Sequence, residues 1–260
     1  MSPLLRKYNK RKRQVLLTAG QAARTNTSLV ELAKLHGTDK WGTHWYADHY
    51  EHHFSPRRFT AINILEIGIG GYDNPKAGGE SLRMWKDFFP HATVYGLDIY
   101  DKQAHAEDRI RIYQGNQLDS NILERVSRDA EGGLDIVVDD GSHINNDVIL
   151  SFQRLFPLMN NNGIYVIEDL QTAYWSAFGG GDENKSLTTM CMLKTMIDGL
   201  NYEEFDAPGY EPTYCDRNVK SLHFYHNMAF IYKGSNNEGS NLLTNNIFNP
   251  PINESNETEK

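Results

Sequence analysis

Five short apolar runs recur along the chain, separated by helical patterns, and polar or glycine residues close each of them. They run from Ile62 to Ile67, Thr93 to Ile99, Ile110 to Gly115, Ile136 to Val138 and Gly163 to Ile167. Ser81 to Phe89, the stretch from Ile122 and Asn145 to Leu158 supply the amphipathic repeats between them. Few folds accept this rhythm. A largely apolar strand must be covered on both faces, and strands that alternate with helices pair in parallel. Late in the chain, Ser221 to Tyr232 reads as two strands about a tight turn near His226-Asn227. The expectation is an α/β, Rossmann-like fold. Its mainly parallel seven-stranded sheet has helices on both faces and an antiparallel strand at its edge.

With 260 residues, 39% of them hydrophobic, the chain suits one large domain with additions. We divide it into a helical extension over 1–58 that covers the site, a catalytic domain over 59–233, and a disordered tail over 234–260. In the extension, Thr27-Ser28 caps a helix carrying Leu29, Leu32 and Leu35, and Gly37 stops it. The segment from Trp41 to Phe54 holds many histidines without clear ligand spacing, so it reads as a polar surface with some packed aromatics. The basic cluster from Arg6 to Arg13 reads as a solvated helix end, and the Asn- and Ser-rich tail as unstructured.

A net charge of −8 gives no general attraction to nucleic acid or to an anionic membrane. Neither a membrane span nor a secretory signal is visible. Cys191 and Cys215 lack zinc spacing, which suits two thiols in a reducing cytoplasm.

The first strand runs into Glu66-Ile67-Gly68-Ile69-Gly70-Gly71, a turn that lets backbone approach a ligand. A dinucleotide loop wants a third glycine where Asp73 stands, and an acid there would face a pyrophosphate. Glu66 suits a cationic ligand with an amino group, and Asp98 can accept both hydroxyls of a ribose. These acids favour S-adenosylmethionine over a nicotinamide dinucleotide. Asn116 and Gln117 are placed to reach an adenine edge. Ser81 can cap its helix, touch the cofactor carboxylate, or both.

Two further strands end in carboxylate pairs, Asp139-Asp140 and Glu168-Asp169. Asp140, Glu168 and Asp169 offer hard oxygen ligands for Mg2+. His143, three residues after Asp140, can take a proton from a substrate hydroxyl that the metal acidifies. Asp139 is left to hold the loop or reach the cofactor. Tyr174, Trp175 and Phe178, with three glycines behind them, either close over a substrate or pack the loop down.

Several stretches together resemble the metal-dependent, S-adenosylmethionine-dependent sugar O-methyltransferases of macrolide and related natural-product pathways. They are His36-Gly37-Thr38-Asp39-Lys40-Trp41, Leu65 to Gly71, Ser81 to Trp85, Tyr95 to Asp98, Val138 to His143 and Ile167 to Trp175. The resemblance implies a class I methyltransferase fold, Mg2+ on Asp140, Glu168 and Asp169, and His143 as base. It also implies cofactor contacts from Glu66, Asp98 and Gln117. Members of that family carry a large N-terminal auxiliary domain, where a short helical region stands here. The expected partner is a small-molecule hydroxyl acceptor, a glycoside, and a homo-oligomer is left open. The rivals are a nicotinamide-dependent oxidoreductase and a non-catalytic S-adenosylmethionine-binding protein.

Overall fold

A computed structural model describes residues 26–181 and 187–240, together with 243–244 and 247–248. The basic cluster from Arg6 to Arg13 and most of the expected tail lie outside the described residues. Seven strands form one sheet: β1 (Asn63–Ile67), β2 (Thr93–Asp98), β3 (Ile110–Gln114), β4 (Leu134–Asp139), β5 (Met159–Ile167), β6 (Val219–Tyr225) and β7 (Met228–Lys233). Their order is β3-β2-β1-β4-β5-β7-β6. The pairs from β3 through β5 are parallel. The strand order reverses between β1 and β4, which opens a crevice at the carboxyl ends where such sheets bind ligands.

The antiparallel strand is β7, which pairs with β5 on one side and β6 on the other. It therefore lies one place in from the edge. The burial patterns give the reason: β7 is buried along almost its whole length, whereas β6 is buried only at Val219. A continuous apolar strand needs neighbours on both sides, and a half-polar one tolerates the rim.

Helices α1 (Leu29–His36), α2 (Ala47–Phe54) and α3 (Glu80–Phe88) cover one face, and α4 (Ser120–Asp129), α5 (Asn145–Leu155) and α6 (Thr189–Gly199) the other. A short α7 (Tyr214–Asn218) precedes β6. Helix α1 starts on a capping box in which Ser28 and Glu31 satisfy each other's backbone, and ends at left-handed Gly37. Leu29, Leu32 and Ala33 form its buried stripe. The segment from Trp41 to Phe54 is more than a surface. Tyr46, Tyr50 and Phe54 are buried in the same core as Trp85 and Phe230. Its histidines are mostly packing residues. His53 bonds the hydroxyls of Tyr232 at 2.8 Å and Tyr225 at 3.0 Å, and burial lowers its pKa to about 4.

Candidate active site

Strand parity sorts the acids. Ile64, Ile136, Val138, Ile164 and Val166 face the core under α1–α3, while Leu65, Ile67, Val137 and Ile167 face the opposite core. Alternation therefore sends Glu66, Asp140 and Glu168 to the first side and Asp139 to the second. The contacts agree. Asp139 accepts from Ser151 Oγ at 3.0 Å and Tyr165 Oη at 2.9 Å beneath the sheet. Burial raises its pKa to about 6 against those two donors. Its two partners belong to α5 and β5, so Asp139 sits in the core beneath the sheet.

On the first side the three acids meet a lysine from the N-terminal segment. Lys40 Nζ lies 2.7 Å from Glu168 Oε1, 2.9 Å from Asp140 Oδ2 and 3.2 Å from Glu66 Oε1, with 1% of its side chain exposed. Burial works against the ammonium, but Asp140, Glu168 and Glu66 carry its pKa well above the ordinary lysine range. Tyr50 donates its hydroxyl to the same Glu168 oxygen. Burial and the nearby Asp140 push Glu168 upward, with Lys40 and Tyr50 opposing them.

Glu66 is enclosed by protein. Ser81 Oγ donates to its Oε2 at 2.8 Å and Trp85 Nε1 at 3.1 Å. Ser81 consequently does not cap its helix. It sits one residue inside α3, whose N-cap is Gly79, and among the described residues no side chain caps that terminus. The glycines above are held by backbone. A Cβ on Gly68 would fall 2.1 Å from the Asp140 carbonyl oxygen, so the β1 and β4 loops touch only because Gly68 has no side chain. Gly70 is roomier, its nearest contact being 3.7 Å away. Buried Lys102 ties the loop down, donating to Asn74 O at 2.8 Å and Ala77 O at 3.1 Å. Asp98 Oδ2 accepts from Ile69 N and its Oδ1 from Tyr100 N. Gln117 is buried, bridging Ser142 N and Ser151 Oγ, while Asn116 is exposed and accepts from Leu118 N.

A second, half-exposed cluster lies outside the lysine. Asp140, His143 and Asp169 each offer a ligating atom, and these lie within 4.8 Å of one another. His143 Nε2 is 3.7 Å from Asp169 Oδ2 and 3.9 Å from Asp140 Oδ1. Both His143 and Asp169 adopt left-handed backbone, with φ of 57° and 54°. Such conformations are uncommon outside glycine and cluster at functional sites. Tyr46 donates to Asp169 Oδ1 at 2.8 Å, and His44 Nδ1 lies 3.7 Å from the same atom. Burial and Asp169 raise the Tyr46 phenol well above its usual range. Trp175 and Tyr174 stay exposed beside the site, and Asn145 Nδ2 pins the loop by donating to Phe178 O at 2.9 Å.

The residues fit the groups the sequence suggested. Two carboxylates and an imidazole within ligand reach suit a divalent cation, while Glu168 lies outside that cluster with its Oε1 held by Lys40 and Tyr50. The glycine turn and the Asp98 carboxylate meet at the carboxyl ends of β1 and β2, next to the crevice that the switch in strand order opens. That crevice suits a nucleoside bearing a carboxylate tail. Sequence reasoning missed Lys40, His44, Tyr46 and Tyr50. The last three lie in a segment read as surface, and no spacing ties any of the four to its partner among Asp140, Glu168 and Asp169, 100 or more residues away.

No family model matches the chain. It is 49% identical over 215 residues to mycinamicin VI 2''-O-methyltransferase of Micromonospora griseorubida, which covers 81% of this chain and 54% of that protein. It is 47% identical over 221 residues to 8-demethyl-8-alpha-L-rhamnosyl tetracenomycin-C 2'-O-methyltransferase of Streptomyces olivaceus, covering 85% of this chain and 58% of that one. The chain thus spans little more than half the length of these relatives. Among solved structures it is similar to the MycE methyltransferase of the mycinamycin pathway in complex with Mg and SAH. The TM-score is 0.78 at 48% identity, over 82% of this chain and 56% of that one. A further MycE structure, with Mg, SAH and mycinamycin VI, matches with the same TM-score. Over the four-fifths of its length that aligns, the chain belongs to the family of O-methyltransferases that these proteins represent.

Proposed function

We propose that the chain transfers a methyl group from S-adenosylmethionine to a hydroxyl of a small glycoside, with Mg2+ on Asp140, Glu168 and Asp169 and His143 as base. The observation that carries this reading is the approach of Asp140, His143 and Asp169 beside the glycine crevice, in a chain related to enzymes named for sugar-bearing acceptors. When bound, S-adenosylmethionine supplies an electrophilic methyl and Mg2+ supplies positive charge that acidifies a nearby hydroxyl. The protein's share is alignment and proton removal. With the cofactor bound, His143 would take the hydroxyl proton on its imidazole as the acceptor oxygen bonds the methyl carbon and the methyl–sulfur bond breaks, which would release S-adenosylhomocysteine. Asp169 and Asp140, 3.7 and 3.9 Å from Nε2, stabilise the imidazolium that results. Asp98 holds the glycine loop through Ile69 N and keeps lone pairs for ribose hydroxyls.

The exposed faces of Trp175 and Tyr174 suit a sugar ring or an apolar aglycone. In this reading residues 1–58 supply part of the site as well as its cover, and 59–233 the catalytic domain. The test is mass spectrometry of a glycoside panel with labelled methyl donor. Methylation should need Mg2+, and His143→Ala should slow it about 10²–10⁴-fold. Undiminished transfer in excess chelator, or by His143→Ala, would sink the proposal.

A further inference from the structure

We infer that Lys40 is a resident counter-cation, which holds the acid cluster together when no metal is bound and competes with Mg2+ for Asp140 and Glu168. The inference rests on the proposed Mg2+ site. Its grounds are geometric. Three carboxylates, from Glu66, Asp140 and Glu168, surround one ammonium at 2.7–3.2 Å. The ammonium donates hydrogen bonds to Asp140 and Glu168 and forms an ion pair with Glu66, three acids at the carboxyl ends of three different strands. With its three carboxylates ionised, the cluster carries −3 against the +1 of Lys40, a net −2 that one divalent cation would balance. Asp140 turns Oδ2 toward Lys40 and Oδ1 toward His143, so a single side chain joins the lysine to the outer cluster.

Glu66 is packed against the helix that follows the glycine loop, through Ser81 and Trp85. Lys40 therefore fastens the N-terminal segment to both halves of the crevice before any ligand arrives.

The experiment compares wild type with Lys40→Met by calorimetric Mg2+ titration and by thermal melting in Mg2+ and in chelator. Wild type should bind Mg2+ with a small rise in Tm. Lys40→Met should bind at least tenfold more tightly and show a larger Mg2+-dependent rise, because Mg2+ then relieves acids that nothing else neutralises. A lysine that only packed the fold would lower Tm equally in both buffers, and equal or weaker Mg2+ binding by the variant overturns the inference while leaving the metal site standing. A wild type that binds no Mg2+ overturns the metal site itself, and the inference with it. If Lys40→Met folds in neither buffer, the ammonium resonance of Lys40 in 15N-lysine-labelled wild type decides. A shift on adding Mg2+ supports the competition, and an unmoved resonance refutes it.

Discussion

Gly68 and Gly70 offer a matched pair of perturbations whose difference isolates one contact. Both have positive φ, +87° and +78°, so alanine at either pays the left-handed penalty of roughly 1–2 kcal/mol. Their surroundings differ. At Gly68 the added Cβ meets the Asp140 carbonyl at 2.1 Å and its carbon at 2.8 Å, both backbone and far inside an ordinary separation of ~3.5 Å. At Gly70 the nearest atom is 3.7 Å away. Gly68→Ala must therefore push the start of the β4 loop, which adds about 1–3 kcal/mol of overpacking. It should lose about 2–5 kcal/mol in all, against roughly 1–2 for Gly70→Ala. Urea denaturation should separate the two midpoints by roughly 0.5–1 M at unchanged slope. Because the displaced residue is Asp140, Gly68→Ala should also lose Mg2+ affinity, and Gly70→Ala should keep it. Equal midpoints, or wild-type Mg2+ binding by Gly68→Ala, would refute the argument that this glycine exists to let the two loops touch.

Two other outcomes follow from buried polar groups. Lys102→Met removes the donors to Asn74 O and Ala77 O; calorimetry with S-adenosylhomocysteine should show weaker binding, about tenfold, while Mg2+ binding stays within twofold. Asp139 has its folded pKa raised from 3.8 to about 6, so the folded state binds the extra proton between those values and stability falls as pH rises through that window. The full loss is about 3 kcal/mol, and Asp139→Asn should flatten this part of the pH–Tm curve; an unchanged slope in the variant would assign the effect to another group.

How far the site could be read in advance depended on whether its residues belong to strands. The apolar rhythm specified the parallel sheet because buried strands leave few alternatives, and the acids at their ends fell at the switch in strand order as expected. Sequence alone leaves Asp139 to hold the loop or reach the cofactor, and it is strand alternation that separates it from Asp140. Asp139 and Asp140, adjacent in sequence, leave the sheet on opposite faces, and Asp139 goes down to Tyr165. Periodicity offers no such rule for Lys40. A lysine among Thr38, Asp39 and Trp41 looks like solvent-facing sequence, and only the packing of α1 and α2 on the sheet turns it inward. The same contact explains why Glu66 differs most from its expected surroundings. An acid beside a glycine turn was matched to a ligand's amino group, yet the amino group that reaches it belongs to the chain itself. Local sequence can show that a buried acid requires a cation, because an unpaired buried charge is costly. Whether that cation is a ligand, a metal or a lysine is settled by which distant segment covers the site, and that is a property of the fold.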